Sequence, residues 1–278
     1  MSRTALVTGG SRGVGKGIAL GLAEAGWTVH VTGRHADALE ATVADLDAIG
    51  AAAGGGGVSV VCDHTDDAAV RRTVLDVQEG PGLDLLVNNV WAGPMVNPFR
   101  PEPFWKRPLE DWDSLIGVGL RPHYVALHAA APGLIAQGHG LVVNVSSFGA
   151  RAHLHSVLYG MGKAALDKMT ADTGLELRPH GVHVVGLWPG LVQTELLIGS
   201  GLEEFEGFRI ADGETPLLQG RVVAALAADP ATADLTGQVV VTAEHAAAHG
   251  ITEDDGRQPA SHRPIFGGGP LHPPLNPS

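Results

Sequence analysis

The sequence predicts a doubly wound α/β fold, in which helices cover both faces of an open parallel sheet. Three observations support this prediction. Short apolar runs alternate strictly with longer amphipathic stretches along most of the chain. Most of the apolar runs carry Val or Leu on both faces, which is typical of buried parallel strands. The first run leads at once into a glycine-rich turn and a helical pattern, the usual beginning of a βαβ unit.

About seven strands and six helices are expected from this alternation. The predicted strands cover residues 4–8, 28–32, 58–62, 83–88, 141–146, 182–188 and 237–242. The predicted helices cover residues 15–25, 37–49, 66–78, 109–137, 157–178 and 217–228. The sequence shows neither a repeat of fixed period nor an interdomain linker, so we assign residues 1–244 to a single domain.

Two segments interrupt the alternation. Residues 91–108 are rich in proline and aromatic residues and form an insert that is too long for an ordinary strand-to-helix loop. Residues 245–278 form a tail rich in proline and glycine. For the end of this tail, residues 259–278, we expect an extended arm or disorder.

Composition excludes several classes of protein. The chain has 278 residues, 44% of them hydrophobic, so it can bury a full core and does not resemble a disordered protein. No apolar run reaches the roughly 18 residues of a membrane span. The formal charge of -12 repels the phosphates of nucleic acids and of anionic membranes, so we expect neither as a partner. Because Cys62 is the only cysteine and no apolar signal peptide follows Met1, we expect a reducing, cytoplasmic setting.

The turn after the first predicted strand has the features of an anion site. Backbone N–H groups at a helix N-terminus attract anions, and glycine lets the backbone approach a pyrophosphate closely. We therefore expect this turn to bind a dinucleotide, through Gly9, Ser11, Arg12, Gly13, Val14 and Gly15. The alternative is a glycine-rich turn that binds no ligand.

The end of the second predicted strand indicates which dinucleotide is bound. An acidic residue at this point would accept hydrogen bonds from a ribose 2′-hydroxyl and select NAD, but the sequence has Arg34. The guanidinium groups of Arg34 and Arg12 can both pair with a 2′-phosphate. NADP(H) is therefore the expected cofactor, unless Arg34 only ends the strand in solvent.

A tyrosine and a lysine open the helix predicted over residues 157–178. Tyr159 and Lys163 are four residues apart and project from one helix face. A lysine cation beside a phenol favours the phenolate, so we expect a pKa below the usual value of about 10. Ser146 and Ser147 end the preceding strand, at the sheet edge where parallel sheets bind ligands. A surface Tyr–Lys pair without a catalytic role is the alternative.

With these motifs the chain resembles the short-chain dehydrogenase/reductase family over residues 3–244. The matching positions are Thr8, Gly9, Gly13, Gly15, Asp63, Asn88, Asn89, Ser147, Tyr159, Lys163, Pro189, Gly190 and Thr194. The resemblance implies a Rossmann fold and oxidoreductase activity on a carbonyl/alcohol pair. Further stretches, such as residues 118–121, 187–190 and 193–197, resemble one subgroup of the family.

The resemblance also implies a role for each matching residue. Ser147 would bind the carbonyl oxygen of the substrate, Tyr159 would protonate it, and Lys163 would bind the nicotinamide ribose. The implied cofactor contacts are Asp63, His64 and Asn89 near the adenosine, and Pro189, Gly190, Val192 and Thr194 near the carboxamide and the phosphates. Ser146 is the alternative to Ser147, because counting back from Tyr159 favours it.

One departure from the family concerns the fourth catalytic position. The family usually has Asn on the helix before the serine strand, where it helps to hold a water on a proton relay from the lysine, whereas this chain has Gly119. Pro122 cannot donate to the carbonyl of Val118, so a free backbone carbonyl near Gly119 could replace the asparagine. The alternative is that Gly119 and Pro122 only kink the helix.

Apolar segments follow two strand ends and are candidate lids over the cofactor. The bulky or aromatic residues are Val90, Trp91, Phe99, Phe104 and Trp105 in the first segment, and Leu202, Phe205 and Phe208 in the second. Such lids suit a hydrophobic substrate and exclude water. Alternatively, these residues pack against a neighbouring subunit. His245 and His249 have no apparent third ligand, so we expect no metal.

Together these features predict an NADP(H)-dependent oxidoreductase that reduces a hydrophobic ketone or aldehyde to the alcohol, or catalyses the reverse reaction. The alternatives are an NAD-linked alcohol dehydrogenase and a regulatory protein that binds NADP(H) without turnover. The family resemblance implies a homodimer or homotetramer.

Overall fold

A computed structural model of the protein describes residues 3–93 and 102–268. Seven parallel strands form the main sheet, and two short antiparallel strands form a separate hairpin. The strands are β1 (Thr4–Val7), β2 (Thr28–Gly33), β3 (Gly56–Val61), β4 (Leu85–Asn88), β5 (Gly140–Val145), β6 (Val182–Trp188), β7 (Glu204–Phe205), β8 (Phe208–Arg209) and β9 (Val239–Val241). All seven predicted strands are present in the main sheet, which confirms the predicted fold class.

The strand order places the carboxyl ends of β1 and β4 side by side. The main sheet runs β3-β2-β1-β4-β5-β6-β9, and the direction of winding reverses between β1 and β4. At this reversal Val7 of β1 pairs with Val31 on one side and with Val87 on the other. A crevice opens outside the carboxyl ends of the strands at such a point, and ligands of doubly wound sheets bind there.

Helices pack on both faces of the sheet. The helices are α1 (Gly13–Glu24), α2 (Ala36–Gly50), α3 (Asp67–Glu79), α4 (Arg121–Gln137), α5 (Val157–Leu177), α6 (Glu195–Ile198), α7 (Pro216–Ala228), α8 (Thr242–Ala248) and α9 (Arg263–Phe266). Alternate residues of each strand face opposite sides, so Val7 packs with α1, α2 and α7, whereas Leu6 packs with α3, α4 and α5. No helix in the described ranges is both long and apolar enough to cross a bilayer.

The helix predicted over residues 109–137 is interrupted, which corrects that prediction. A π-helical segment, Asp113–Val118, precedes α4, and Gly119 and Leu120 separate the two. Pro122 lies in the first turn of α4, where its missing N–H group is tolerated. Proline therefore begins a new helix here, because it cannot continue the preceding one.

The tail packs on the domain as far as the structure describes it. Helix α8 runs across residue 244, and α9 lies within the segment for which we expected an extended arm or disorder. The Phe266 ring packs against Phe148, with ring centroids 5.8 Å apart, and against Phe208. These aromatic contacts explain why residues 259–268 fold back. Residues 269–278 lie outside the described part of the chain.

Candidate active site

The loop between β1 and α1 has the backbone shape that a phosphate cradle requires. Gly9 and Gly13 adopt φ angles of 69° and 58°, which side chains disfavour. A Cβ on Gly9 would lie only 2.9 Å from the Cα of Val90. The Asn89 side chain amide donates to the carbonyl oxygens of Thr8 and Gly9, at 2.9 and 3.1 Å. Glycine permits the tight turn, and Asn89 holds it in place.

A carboxylate shows that the loop accepts an anion. The N–H of Gly13 donates to Oε2 of Glu195, the first residue of α6, at 2.9 Å. This oxygen stands where an oxygen of a pyrophosphate would accept the same hydrogen bond. Val14 and Gly15 continue into the first turn of α1, and the side chain of Ser11 lies beside Gly33 at the end of β2. The loop therefore offers an N–H to an anionic oxygen, and dinucleotide binding by these residues stays a prediction.

Two arginines lie next to the end of β2 and the glycine loop. Arg34 follows β2, Arg12 precedes α1, and both side chains are exposed. Asp63 follows β3, and hydrogen bonds from the backbone and hydroxyl of Thr65 lower the pKa of its carboxyl, with a smaller contribution from the charge of Arg34. Among the described residues, neither guanidinium forms an ion pair, and both stay exposed beside the loop.

His64 contacts the glycine loop indirectly, through the side chain of Thr32. Its Nε2 lies 2.7 Å from Oγ1 of Thr32, and the same oxygen accepts a hydrogen bond from the N–H of Gly9 at 3.1 Å. Burial lowers the pKa of His64 to about 4, so the ring is neutral at physiological pH. The imidazole therefore acts on the cofactor site through Thr32 and the loop backbone.

Ser147, Tyr159 and Lys163 meet at the carboxyl end of β5. Ser147 lies two residues after this strand, close enough to the Tyr159 phenol to lower its pKa, and its Oγ accepts from the N–H of Gly149 at 2.8 Å. Ser156 caps α5 by accepting from the N–H of Tyr159 at 3.2 Å. Nζ of Lys163 donates to the carbonyl of Val145 at 2.9 Å and lies 5.7 Å from the centroid of the Tyr159 ring.

The neighbouring Ser146 has different partners. Its hydroxyl donates to the backbone carbonyl of Lys163 at 3.2 Å and lies near the Asp167 carboxylate, whose pKa it lowers against the larger effect of burial. The side chain is buried between β5 and α5. The geometry therefore favours Ser147 as the serine that faces Tyr159, and gives Ser146 a supporting position.

Burial controls the ionisation of the Tyr159–Lys163 pair. It raises the pKa of Tyr159 to about 12, against a lowering by the Ser147 hydrogen bond, and the nearby Glu206 carboxylate raises it further. Burial also lowers the pKa of Lys163 to about 8, while the charge of Asp167 acts in the opposite direction. The expected lowering of the Tyr159 pKa is thus wrong for this structure, because desolvation and the Glu206 charge raise the pKa by more than Ser147 lowers it.

Aromatic rings surround Tyr159. Trp91 stands edge-on to it with ring centroids 6.0 Å apart, and His155 does so at 4.6 Å. Phe205 of the second candidate lid stacks on His155 at 5.5 Å. Phe104 and Trp105 are instead exposed and pack edge-to-face on each other, 5.4 Å apart. The expected lid residue Phe99 lies outside the described residues.

The segment after β6 faces the glycine loop across the crevice. Oγ1 of Thr194 caps α6, and its methyl group lies 3.5 Å from the position of a Cβ on Gly13. Pro189 and Gly190 follow β6 directly, and Val192 forms an isolated bridge with Glu214. Residues 189–194 therefore lie where the nicotinamide end of a dinucleotide bound by the loop would reach.

Glu214 supports this segment and was not singled out in the sequence. Its Oε2 accepts from the N–H of Gly190 at 2.9 Å and from the amide of Gln219 at 2.6 Å. Burial raises its pKa to about 7, despite these two hydrogen bonds. No motif marks this residue, because its role depends on a contact with a distant turn.

Two further buried groups were missed. The Asp167 carboxylate accepts from the Trp188 indole at 3.2 Å, and burial raises its pKa to about 6. Nε2 of His123 lies 2.9 Å from the carbonyl oxygen of Val90, and burial lowers the His123 pKa to about 3. The spacing of four residues between Lys163 and Asp167 is the one signal that could have identified either group.

Gly119 fills the fourth catalytic position with backbone alone. A Cβ at this residue would overlap the carbonyl oxygen of Leu115 and lie 3.3 Å from the Trp91 ring. The same Leu115 oxygen would lie 3.4 Å from a Cβ on Gly162, between Tyr159 and Lys163. Glycine is therefore required by the packing, and a backbone carbonyl faces α5 at this point.

His245 and His249 lie together in the described part of the tail. The rings of His245 and His249 stack with centroids 4.0 Å apart. Across residues 3–93 and 102–268, no group of three or more His, Cys, Asp or Glu side chains is arranged to hold a metal ion.

Comparison with known proteins identifies the family. The family model for short chain dehydrogenases matches residues 3–203. The protein named dehydrogenase/reductase SDR family member 1 is 41% identical over 265 residues in Mus musculus and 41% identical over 264 residues in Homo sapiens. Each alignment covers 91% of this chain and 83% of the relative.

Solved structures have the same fold. A short-chain type dehydrogenase/reductase from Mycobacterium ulcerans superposes with a TM-score of 0.76 at 26% identity, covering 96% of this chain and 97% of that one. The residues matched by the family model include the glycine loop and the Ser147, Tyr159 and Lys163 group. This chain therefore belongs to the short-chain dehydrogenase/reductase family, in the subgroup of SDR family member 1, and is an oxidoreductase that acts on CH–OH groups with a nicotinamide dinucleotide.

Proposed function

We propose that the protein is an NADP(H)-dependent reductase that converts a hydrophobic ketone or aldehyde into the alcohol. One observation carries this proposal: the half-buried Tyr159 phenol lies next to Ser147 and one helical turn before Lys163, at the carboxyl end of β5. General acid catalysis needs a positioned proton donor, and a second hydrogen-bond donor can hold the same carbonyl oxygen. Ser147 and Tyr159 supply this pair.

The protonation states fit Tyr159 as a proton donor. With a pKa of about 12, Tyr159 carries its proton at neutral pH and can give it to the carbonyl oxygen. The bound nicotinamide supplies the hydride that the carbonyl carbon receives. Lys163, whose charge is offset by Asp167, stabilises the phenolate that remains after proton transfer. The Ser147 hydroxyl donates a hydrogen bond to the substrate carbonyl oxygen while negative charge develops on that oxygen.

The cofactor preference rests on the two exposed arginines. Arg12 and Arg34 would hold the 2′-phosphate, the loop from Gly9 to Gly15 would hold the pyrophosphate, and Asp63 and Asn89 would lie near the adenosine. Residues 189–194 would bind the carboxamide. A planar guanidinium pairs with phosphate through two parallel hydrogen bonds, which favours NADP(H) over NAD.

The substrate class follows from the walls of the site. Trp91 and Phe205 present apolar rings near Tyr159, and His155 is neutral because burial lowers its pKa. Rings of this kind favour an apolar body attached to the reacting carbonyl.

We also propose a homodimer or homotetramer in a cytoplasmic setting. On the outer surface of α4 and α5, Tyr124 and Leu175 are 57% and 53% exposed, as in a face that a second copy covers. The single thiol, Cys62, is buried, in keeping with a reducing compartment.

A direct assay tests this function. Purified protein is mixed with NADPH or NADH and with a panel of aromatic, steroidal and aliphatic carbonyl compounds, and loss of the reduced cofactor is followed. We expect turnover of at least one hydrophobic carbonyl, with NADPH preferred. Tight NADPH binding without turnover across the panel would instead favour a regulatory protein, and a preference for NADH would overturn the cofactor assignment.

A further inference from the structure

Two strained residues contact each other in the active site. Among the described residues, His155 and Glu206 are the non-glycine residues with positive φ, at 57° and 52°. Side chains disfavour this conformation, and it persists where the surrounding structure imposes it, often at functional sites. Nδ1 of His155 lies 3.5 Å from Oε1 of Glu206. The two residues with a strained backbone are therefore also the two partners of this contact.

Glu206 stands at an unusual place in a hairpin. Residues 204–209, here called the lid hairpin, consist of β7, β8 and a two-residue turn formed by Glu206 and Gly207. Both turn residues have positive φ, at 52° and 83°, as in turns that favour Asn-Gly. Asparagine or glycine would form this turn with less strain. The glutamate is therefore explained by what its carboxylate contacts.

The contact lies directly over the candidate proton donor. The His155 ring is edge-on to Tyr159, with centroids 4.6 Å apart, and Phe205 of the lid hairpin stacks on the same imidazole. The charge of Glu206 also raises the pKa of Tyr159. Movement of the lid hairpin would thus free the His155 ring that covers Tyr159.

The opposite side of the lid hairpin is held by the tail. Phe208 stacks on His262 with ring centroids 4.0 Å apart and packs on Phe266. Phe266 in turn contacts Phe148, which directly follows Ser147. Aromatic packing therefore holds the outer side. The side that faces Tyr159 is held by the stack of Phe205 on His155 and by the 3.5 Å contact with Glu206, in which the buried Nδ1 makes no hydrogen bond among the described residues. This more weakly held side is the part that can open.

We propose that the contact between Glu206 and His155 is a latch that closes the lid hairpin over Tyr159 and sets which substrates reach it. Both are positioning residues: they hold the wall of the substrate site and leave the chemistry to Ser147, Tyr159 and Lys163. The proposal rests on the carbonyl reduction proposed above for its effect on turnover, but the closure itself can be measured without any substrate.

Two variants remove the contact between Glu206 and His155 while keeping residues that tolerate the backbone conformation at each position. Glu206→Asn suits the turn but is too short to reach His155, and His155→Asn tolerates the left-handed backbone while removing the imidazole. Glu203→Gln, an exposed carboxylate before the same hairpin, is the matched control. Hydrogen exchange of residues 195–213, the melting temperature, and KM and kcat are measured on each full-length protein.

We expect both latch variants to exchange amides of residues 195–213 at least fivefold faster and to raise KM for a hydrophobic carbonyl at least fivefold. The melting temperature of Glu206→Asn should equal or exceed that of the wild type, NADPH affinity should stay within twofold, and the double variant should be no worse than either single variant. The control should match the wild type.

The latch would be overturned if the amides of residues 195–213 exchanged in both variants at the wild-type rate. It would also be overturned if their exchange rate rose only in proportion to a fall in melting temperature. If exchange rises but no carbonyl is reduced even by the wild type, the latch stands and the proposed function fails. If the wild type reduces carbonyls and the latch variants keep its KM, the proposed function stands and the latch fails.

Discussion

Arg34 is the residue on which the choice of cofactor depends most. Its guanidinium is exposed at the end of β2, and the loop residue Ser11 lies beside the preceding Gly33. Position 34 is thus close to the loop that would hold the pyrophosphate. Specificity at such a position is a difference between two affinities, so one change of charge should alter it.

Arg34→Asp should move the preference from NADPH toward NADH. The aspartate loses the partner of the 2′-phosphate, repels it, and gains an acceptor for a ribose 2′-hydroxyl. We expect the ratio of the two dissociation constants to change by at least about tenfold, equivalent to about 1.4 kcal/mol. Fluorescence titration with each cofactor measures the ratio, and Arg71→Asp on α3 is the control. An unchanged ratio would remove Arg34 from the site.

Glu195 should weaken cofactor binding, because its carboxylate occupies the N–H of Gly13. Glu195→Gln keeps the shape of the side chain and removes a negative charge next to the expected pyrophosphate. We expect NADPH to bind about fivefold more tightly, equivalent to about 1 kcal/mol. Titration of the variant against Glu203→Gln tests this. Weaker binding by Glu195→Gln would show that the carboxylate assists the cofactor.

At the scale of elements, the π-helical segment before α4 makes glycine necessary at position 119. Gly119→Ala places a methyl group on the carbonyl oxygen of Leu115, so we expect the free energy of unfolding to fall by about 1–3 kcal/mol. Gly117→Ala is the matched control, since its Cβ would lie 4.0 Å from the backbone oxygen of Trp112, an ordinary van der Waals distance. Urea denaturation compares the two. Equal stability would show that residue 119 tolerates a side chain.

The strands could be predicted from sequence because a buried parallel strand is apolar on both faces. The helix predicted over residues 109–137 was too long, since a π-helical turn keeps nearly the same amphipathic pattern, and Pro122 was the one local sign of a new helix. Helix α9 was missed because its proline- and glycine-rich surroundings favour an extended chain. Packing of Phe266 on Phe148 overrides that preference.

In the candidate site too, some features could be predicted from the sequence and others could not. Motif spacing placed the glycine loop and the group of Ser147, Tyr159 and Lys163 correctly at one edge of the sheet. Spacing gives proximity but not burial, so the direction of the Tyr159 pKa shift was wrong. The contact between His155 and Glu206 joins two loops that are far apart in the chain, and no local sequence pattern predicts it.

For the whole molecule, buried titratable groups make stability depend on pH in two opposite ways. His123 has a pKa of about 3 in the folded protein, below the 6.5 of an exposed histidine, so the unfolded chain takes up protons first and stability is lost as the pH falls below 6.5. Glu214 has a raised pKa of about 7, against 4.5 when exposed. Its buried charge is relieved as the pH falls from 7 toward 4.5, so stability is gained.

Two variants separate these effects. The quantity compared is the free energy of unfolding of each variant minus that of the wild type. When the pH is lowered from 7 to 5, this difference should rise by about 2 kcal/mol for His123→Gln. For Glu214→Gln it should fall by about 2 kcal/mol over the same interval. Urea denaturation at several pH values measures both differences. Parallel curves for a variant and the wild type would mean that the substituted group has the same pKa in the folded and unfolded chains.

The most direct measurement is the rate of NADPH-dependent carbonyl reduction by Tyr159→Phe, paired with its affinity for NADPH. The control is Tyr124→Phe, which changes the other tyrosine of the chain, exposed on α4. Loss of a general acid should lower kcat at least about 100-fold, while cofactor affinity and the control stay near the wild type. A Tyr159→Phe protein that reduces carbonyls at close to the wild-type rate would show that the proton comes from another group.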